Sequence, residues 1–155
     1  MRTKKTTYAI MSAIKSKNTR PEKIFEKELR KARIKYKKQY AIDGRPDFVV
    51  LNKKVAIFID GDFWHGNNWR LRGFKNRAEE LKSYTIFWSR KISNNITRDK
   101  IINKKLKRKG WVVIRFWESK VKKGCSDLVA RIKLIRKAEN GKIIKSLTMK
   151  CGPLD

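Results

Sequence analysis

Three short apolar runs limit the folds open to this chain. They are Asp47-Phe48-Val49-Val50-Leu51, Lys54-Val55-Ala56-Ile57-Phe58-Ile59 and Trp111-Val112-Val113-Ile114-Arg115-Phe116-Trp117. Each is rich in β-branched and aromatic residues and has the length of a buried strand rather than a helix. Tyr36 to Tyr40 alternates more weakly. Asn52-Lys53 separates the first two runs by a hairpin-like connection. Helical patterns surround them. Thr19 can cap, Pro21 suits a first turn, and Glu22 stands three residues after Thr19, as in a capping box. Phe25, Leu29 and Ala32 then share one face, and the helix should end near Arg33. A long helical region runs from Ala78 or Ser83 to Lys109, with room for a break near Ser93-Asn94-Asn95, and Gly110 stops it. Ser126 to Lys137 reads as a last amphipathic helix. Helix, three strands, helix, strand, helix predicts an α/β fold with a central mixed sheet flanked by helices.

The 155 residues fit one domain, from about 19 to 138, between a basic N-terminal arm (1–18) with a short helix and a C-terminal tail (139–155). Against 14 Asp and Glu stand 42 Lys and Arg, a formal charge of +28. A compact fold carrying that imbalance repels itself and calls for a polyanionic partner. Five Trp, four Tyr and seven Phe argue for a folded core rather than a basic tail. Roughly half of the lysines can be ordinary solvated surface residues, and the remainder still suffices for a nucleic-acid surface. No apolar run approaches the roughly 20 residues of a membrane span, and no apolar stretch follows the basic start as in a signal peptide. Cys125 and Cys151 show neither metal-ligand spacing nor a disulfide framework, which suits a reducing compartment.

Two segments carry the chemistry. Asp47 opens an apolar strand directly behind Pro46, and a carboxylate there is costly without a metal, a cation or backbone donors. A turn amide or Arg45 would be the purely structural partner. The next strand runs out into Ile59-Asp60-Gly61-Asp62-Phe63-Trp64-His65-Gly66, with two acids at i and i+2 on one side of an extended chain. His65 is the single histidine of the chain. A lone histidine is more often structural than catalytic, but the acids and glycines around this one favour function. Phe63 and Trp64 suit either a core or an exposed wedge that stacks on bases. Carboxylates that hold Mg2+ through oxygen, beside a histidine that can take a proton from water, describe a phosphodiesterase.

The spacing of these motifs resembles the very-short-patch-repair (Vsr) endonucleases of the PD-(D/E)xK superfamily. Met11-Ser12-Ala13-Ile14, Asn18 to Glu22, Gly44 to Asp47, Phe58 to Gly61, Phe63 to Gly66, Phe87-Trp88 with Lys91-Ile92, Asn95 with Arg98-Asp99, and Gly110 through Glu118 occur in that family's order over about residues 9–136. The resemblance implies a restriction-endonuclease-like core and a Mg2+-dependent enzyme, with Mn2+ as a substitute, that nicks duplex DNA 5′ to the mismatched T of a T:G pair. It implies Asp47 as the metal-binding carboxylate, with the backbone carbonyl of Ile59 as a second ligand. His65 becomes the general base, Asp60 orients the water and metal network, and Glu22 lies at the edge of the site. Met11, Phe63 and Trp64 match an apolar wedge entering the base stack. It further implies a monomer in a prokaryotic cytoplasm, associated with the nucleoid and not with membrane.

Two departures stand out. Where many relatives hold a structural zinc, this chain has Asp62, Asn67, Trp69 and Ser119. None is a thiolate or imidazole, so no zinc is expected, and hydrogen bonds or packing by Trp69 should brace the loop. The acid-x-Lys half of the superfamily motif is missing too, with Phe58 where an acid would stand. Two other functions fit the same residues. One is a sequence- or structure-specific endonuclease of a restriction or mobile-element system. The other is an inert DNA-binding protein, which the joint presence of Asp47, Asp60 and His65 disfavours.

Overall fold

A computed structural model describes residues 18–137. The arm, the tail and the Met11 part of the expected wedge lie outside these residues. Helix α1 (Arg20–Lys31) starts on the expected capping box, with Thr19 as cap and Pro in its first turn. It ends where Ile34 N–H reaches back to Leu29 O and Arg33 turns left-handed at φ 52°. Strand β1 (Lys37–Lys38) is shorter than the Tyr36–Tyr40 alternation suggests. β2 (Phe48–Val50) and β3 (Val55–Asp60) form an antiparallel hairpin through a 3-10 turn at Leu51–Lys53, closed by Lys54 at φ 47°.

The helical region after the loop divides differently from the sequence expectation. Two short helices, α2 (Asn68–Arg72) and α3 (Arg77–Lys82), precede α4 (Ile86–Arg108), which runs unbroken through Ser93-Asn94-Asn95. The interruption falls at Ser83–Thr85, where Thr85 takes the extended conformation of an N-cap. Asn95 does not break α4 because its side chain donates outward, to Trp64 O at 3.1 Å, and does not compete for the helix's own carbonyls. After β4 (Val112–Trp117) comes α5 (Glu118–Lys123), which the sequence pattern did not single out, and then α6 (Ser126–Lys137).

The sheet order is β1-β2-β3-β4, antiparallel except for the parallel pair β3–β4 joined by the α4 crossover. It is the mixed sheet expected of an α/β, restriction-endonuclease-like core. Alternation along the strands builds two apolar faces. Phe48, Val50, Val55, Ile57, Ile114 and Phe116 pack against Phe25 and Leu29 of α1, Val121 of α5, and Val129 and Ile132 of α6. Ala56 and Phe58 face Leu106 of α4 on the other side. That second face is the thinner one, and toward the end of β3 and β4 it becomes polar. Since β2 is antiparallel to β3, Asp47 at the start of β2 lies at the same sheet end as Asp60 at the finish of β3. Cys125 is buried in the larger core as a free thiol. No helix among the described residues is long and apolar enough to cross a membrane.

Candidate active site

Asp47 stands on the sheet edge of the site. Its Oδ2 accepts a hydrogen bond of 2.7 Å from Ile59 N–H on the neighbouring strand, not from a turn amide. Burial pushes its carboxyl up to about 7, against the pull of that backbone bond, and the charges of Glu22 and Asp60 add to the rise. The carboxylate is thus desolvated, under-compensated and close to two other acids, which is a place for a cation. The donors on offer, a carboxylate and strand carbonyls, are hard oxygens. No three acidic, histidine or cysteine side chains converge as a cage among the described residues. Mg2+ keeps several waters and is held through one or two carboxylates, so Asp47 and the Ile59 carbonyl fit it.

Glu22 unites the two roles open to it. It is buried, and its carboxylate accepts bonds from Asn18 N–H (2.9 Å), Thr19 N–H (3.3 Å) and Thr19 Oγ1 (2.8 Å). Its charge still reaches Asp47. It therefore caps α1 and borders the site.

His65 sits in the loop after β3, with its side chain 19% exposed. Its Nδ1 lies 2.5 Å from Asp99 Oδ2 on α4 and 3.8 Å from Asp60 Oδ1. Burial alone would raise Asp99, but the His65 hydrogen bond and the Arg115 guanidinium outweigh it and hold Asp99 below the usual carboxylate range. An ionised Asp99 can only accept, so Nδ1 carries a proton, and in the neutral ring this leaves the lone pair on Nε2. Asp60 is buried, and its Oδ1 accepts a hydrogen bond of 2.7 Å from Arg115 Nη1.

Asp60 and Asp62 do not converge as their i, i+2 spacing suggested. The strand ends at Asp60, so the alternation lapses before Asp62. Asp62 instead heads a buried knot, accepting from Asn67 Nδ2 (2.5 Å), Ser119 N–H (2.9 Å) and Ser119 Oγ (2.8 Å), while Asn67 N–H bonds the Asp62 carbonyl at 2.8 Å. Three of the four positions that differ from a zinc set are thus joined by hydrogen bonds. Trp69 is not part of the knot and stacks with the Arg70 guanidinium at 4.8 Å.

Phe63 and Trp64 are half-buried and belong to neither apolar core. They form an aromatic cluster with Tyr84 and Trp88, with ring centroids 5.1–5.7 Å apart, and Lys91 Nζ lies 5.4 Å from the Trp64 ring. Ile86 (81%) and Phe87 (64%) stand exposed next to them.

The sequence reading brought out Asp47, Ile59, Asp60, His65 and Glu22, and the fold gathers them at one sheet end. It gave no role to Asp99, Asn103 or Arg115. The signal was a polar stripe at i, i+4 in α4: Asn95, Asp99 and Asn103 reach Trp64 O, His65 and Arg115 respectively. A lone Arg in an otherwise apolar strand was the other signal.

The family model described as DNA mismatch endonuclease Vsr matches residues 1–71. A type II nicking enzyme of Neisseria meningitidis serogroup C is 38% identical over 79% of this chain and 80% of its own length. A type II nicking enzyme of Haemophilus parainfluenzae is 42% identical over 70% and 74%. The DNA mismatch endonuclease Vsr of Escherichia coli (strain K12) is 37% identical over 70% and 66%. The chain belongs to the Vsr family of DNA endonucleases.

Proposed function

We propose that this endonuclease is Mg2+-dependent and nicks one strand of duplex DNA 5′ to the mismatched T of a T:G pair. The observation that carries the chemistry is a desolvated Asp47 coupled to Asp60, with His65 held through Nδ1 by Asp99 and 3.8 Å from the same Asp60. Asp47 and the Ile59 carbonyl hold the cation, which when bound supplies positive charge to the phosphate oxygens. His65 Nε2 takes a proton from the attacking water as general base. Asp99 fixes the ring and stabilises the imidazolium that results. Asp60, beside both, orders the polar network, and Glu22 borders it.

The kind of cut and the target rest on different supports. Two of the relatives are named nicking enzymes, which favours a single-strand cut. The aromatic cluster of Phe63, Trp64 and Trp88 beside the exposed Phe87 favours a mispaired substrate, since unstacking a base step costs least where pairing is already weak. The test is incubation with Mg2+ or with EDTA of labelled duplexes that are matched, T:G mismatched, otherwise mismatched or branched. One defined nick on the T:G duplex, dependent on the metal, is expected. Cleavage that survives EDTA, or that prefers branched or matched duplexes, overturns the proposal.

A further inference from the structure

Arg115 is the one charged residue of β4, with Ile114 and Phe116 as apolar neighbours, and it is only 4% exposed. An apolar side chain would fill such a strand position without desolvating a charge, so packing alone does not account for the guanidinium. Every nitrogen of it is spoken for, and two of the three lead toward the candidate site. Nη1 donates to Asp60 Oδ1 at 2.7 Å, Nη2 lies 3.2 Å from Asp99 Oδ1, and Nε donates to Asn103 Oδ1 at 3.1 Å. The guanidinium carbon lies 4.3 Å from the centroid of the Phe58 ring. Asp99 is thereby a bridge, with one oxygen facing Arg115 and the other facing His65 Nδ1.

We infer that Arg115 is the positioning residue of this active site. Its planar fork locks Asp60 of β3 and Asp99 of α4 into one arrangement, and Asp99 in turn fixes the His65 ring with Nε2 toward the reacting water. A fork is needed because two carboxylates on different elements must be held at once. A lysine ammonium is a single point charge on a flexible stem and cannot hold both in fixed directions. The inference rests on the proposed reaction only for what His65 does, not for how His65 is held.

The single histidine of the chain makes the claim readable without activity. In 15N-labelled full-length protein without a histidine tag, the side-chain nitrogen spectrum contains one imidazole and reports its tautomer. The wild type should show a single Nδ1–H form. Arg115→Met should show a mixture or an Nε2–H form, keep its affinity for T:G duplex, and lose about 10²-fold in single-turnover nicking, the scale of a small misplacement of a catalytic group. Arg115→Lys, which keeps the charge, should fold, restore the Nδ1–H form only in part and nick at an intermediate rate.

If Arg115→Met does not fold, Arg115→Lys decides by the same two readouts. A folded Arg115→Met or Arg115→Lys with one Nδ1–H tautomer and the wild-type rate overturns the inference. A wild type that nicks no duplex, with a tautomer that still moves in both variants, would remove the proposed reaction and leave the positioning role standing.

Discussion

Asp47 carries its carboxyl from an ordinary value of 3.8 up to about 7 because the fold buries it, so the folded protein keeps a proton that the unfolded chain releases. Stability supplied by that proton is fully present below the unfolded value and is lost as pH rises through about 7. Above that, an ionised Asp47 costs the metal-free protein at most about 4 kcal/mol. Asp47→Asn keeps the shape and an acceptor for Ile59 N–H. Thermal melts without metal should therefore show the variant more stable than wild type at pH 8 and nearly equal at pH 4, with Mg2+ narrowing the gap at pH 8. The same variant should lose nicking and bind duplex as tightly or more tightly, through lost repulsion of phosphate. A variant that nicks normally would make Asp47 structural. Asp47 and His65 were legible in the sequence because proline, glycine and aromatic neighbours flag them locally. Arg115 was not, since its partner Asp60 lies 55 residues away and a lone charge in an apolar run does not say which acid it meets.

At the scale of elements, α4 orders the site more than the strands do. Its stripe of Asn95, Asp99 and Asn103 touches the loop, the histidine and the arginine in turn. The loop itself is tied to the start of α5 by Asp62, Asn67 and Ser119. Asp62→Ala leaves three donors without their acceptor, each costing about 1–3 kcal/mol when buried. The melting temperature and the nicking rate of Asp62→Ala should fall together, whereas metal analysis of purified wild type should find no stoichiometric zinc. A zinc content near one per chain would contradict the view that the knot braces this loop. Trp64 lies outside both apolar cores, so Trp64→Ala should cost less than the about 3–5 kcal/mol of a core tryptophan and should abolish preference for mismatched over matched duplex. Unfolding, or an unchanged preference, would return Trp64 to a packing role. The strands and α1 were legible from periodicity and capping, and α5 was not. Its six residues offer too little periodicity, and its identity depends on the Ser119 contact with a loop 57 residues earlier.

For the whole molecule, a charge of +28 has to be discharged on a polyanion. Binding of both T:G and matched duplexes should weaken steeply with salt, with log K falling about 0.9 per phosphate neutralised. A nearly flat dependence would reduce the lysines to solvated surface. On the proposed reading, charge grips both duplexes equally, discrimination falls to the aromatic cluster and cutting to the sheet end, and Phe63, Trp64 and His65 on one loop join the two. The class of partner and the α/β order were therefore plain in composition and periodicity, while the Tyr84 and Trp88 rings beside Phe63 and Trp64, and the Asp99 partner of His65, needed the fold. The measurement that bears most directly on this account is the position of the cut. A T:G duplex labelled in turn at the end of each strand, incubated with Mg2+ and resolved at single-nucleotide length, should yield one product, from the T strand, ending immediately 5′ to the mismatched T. Cuts in both strands, or a cut whose position does not follow the T when the mismatch is moved, would contradict it.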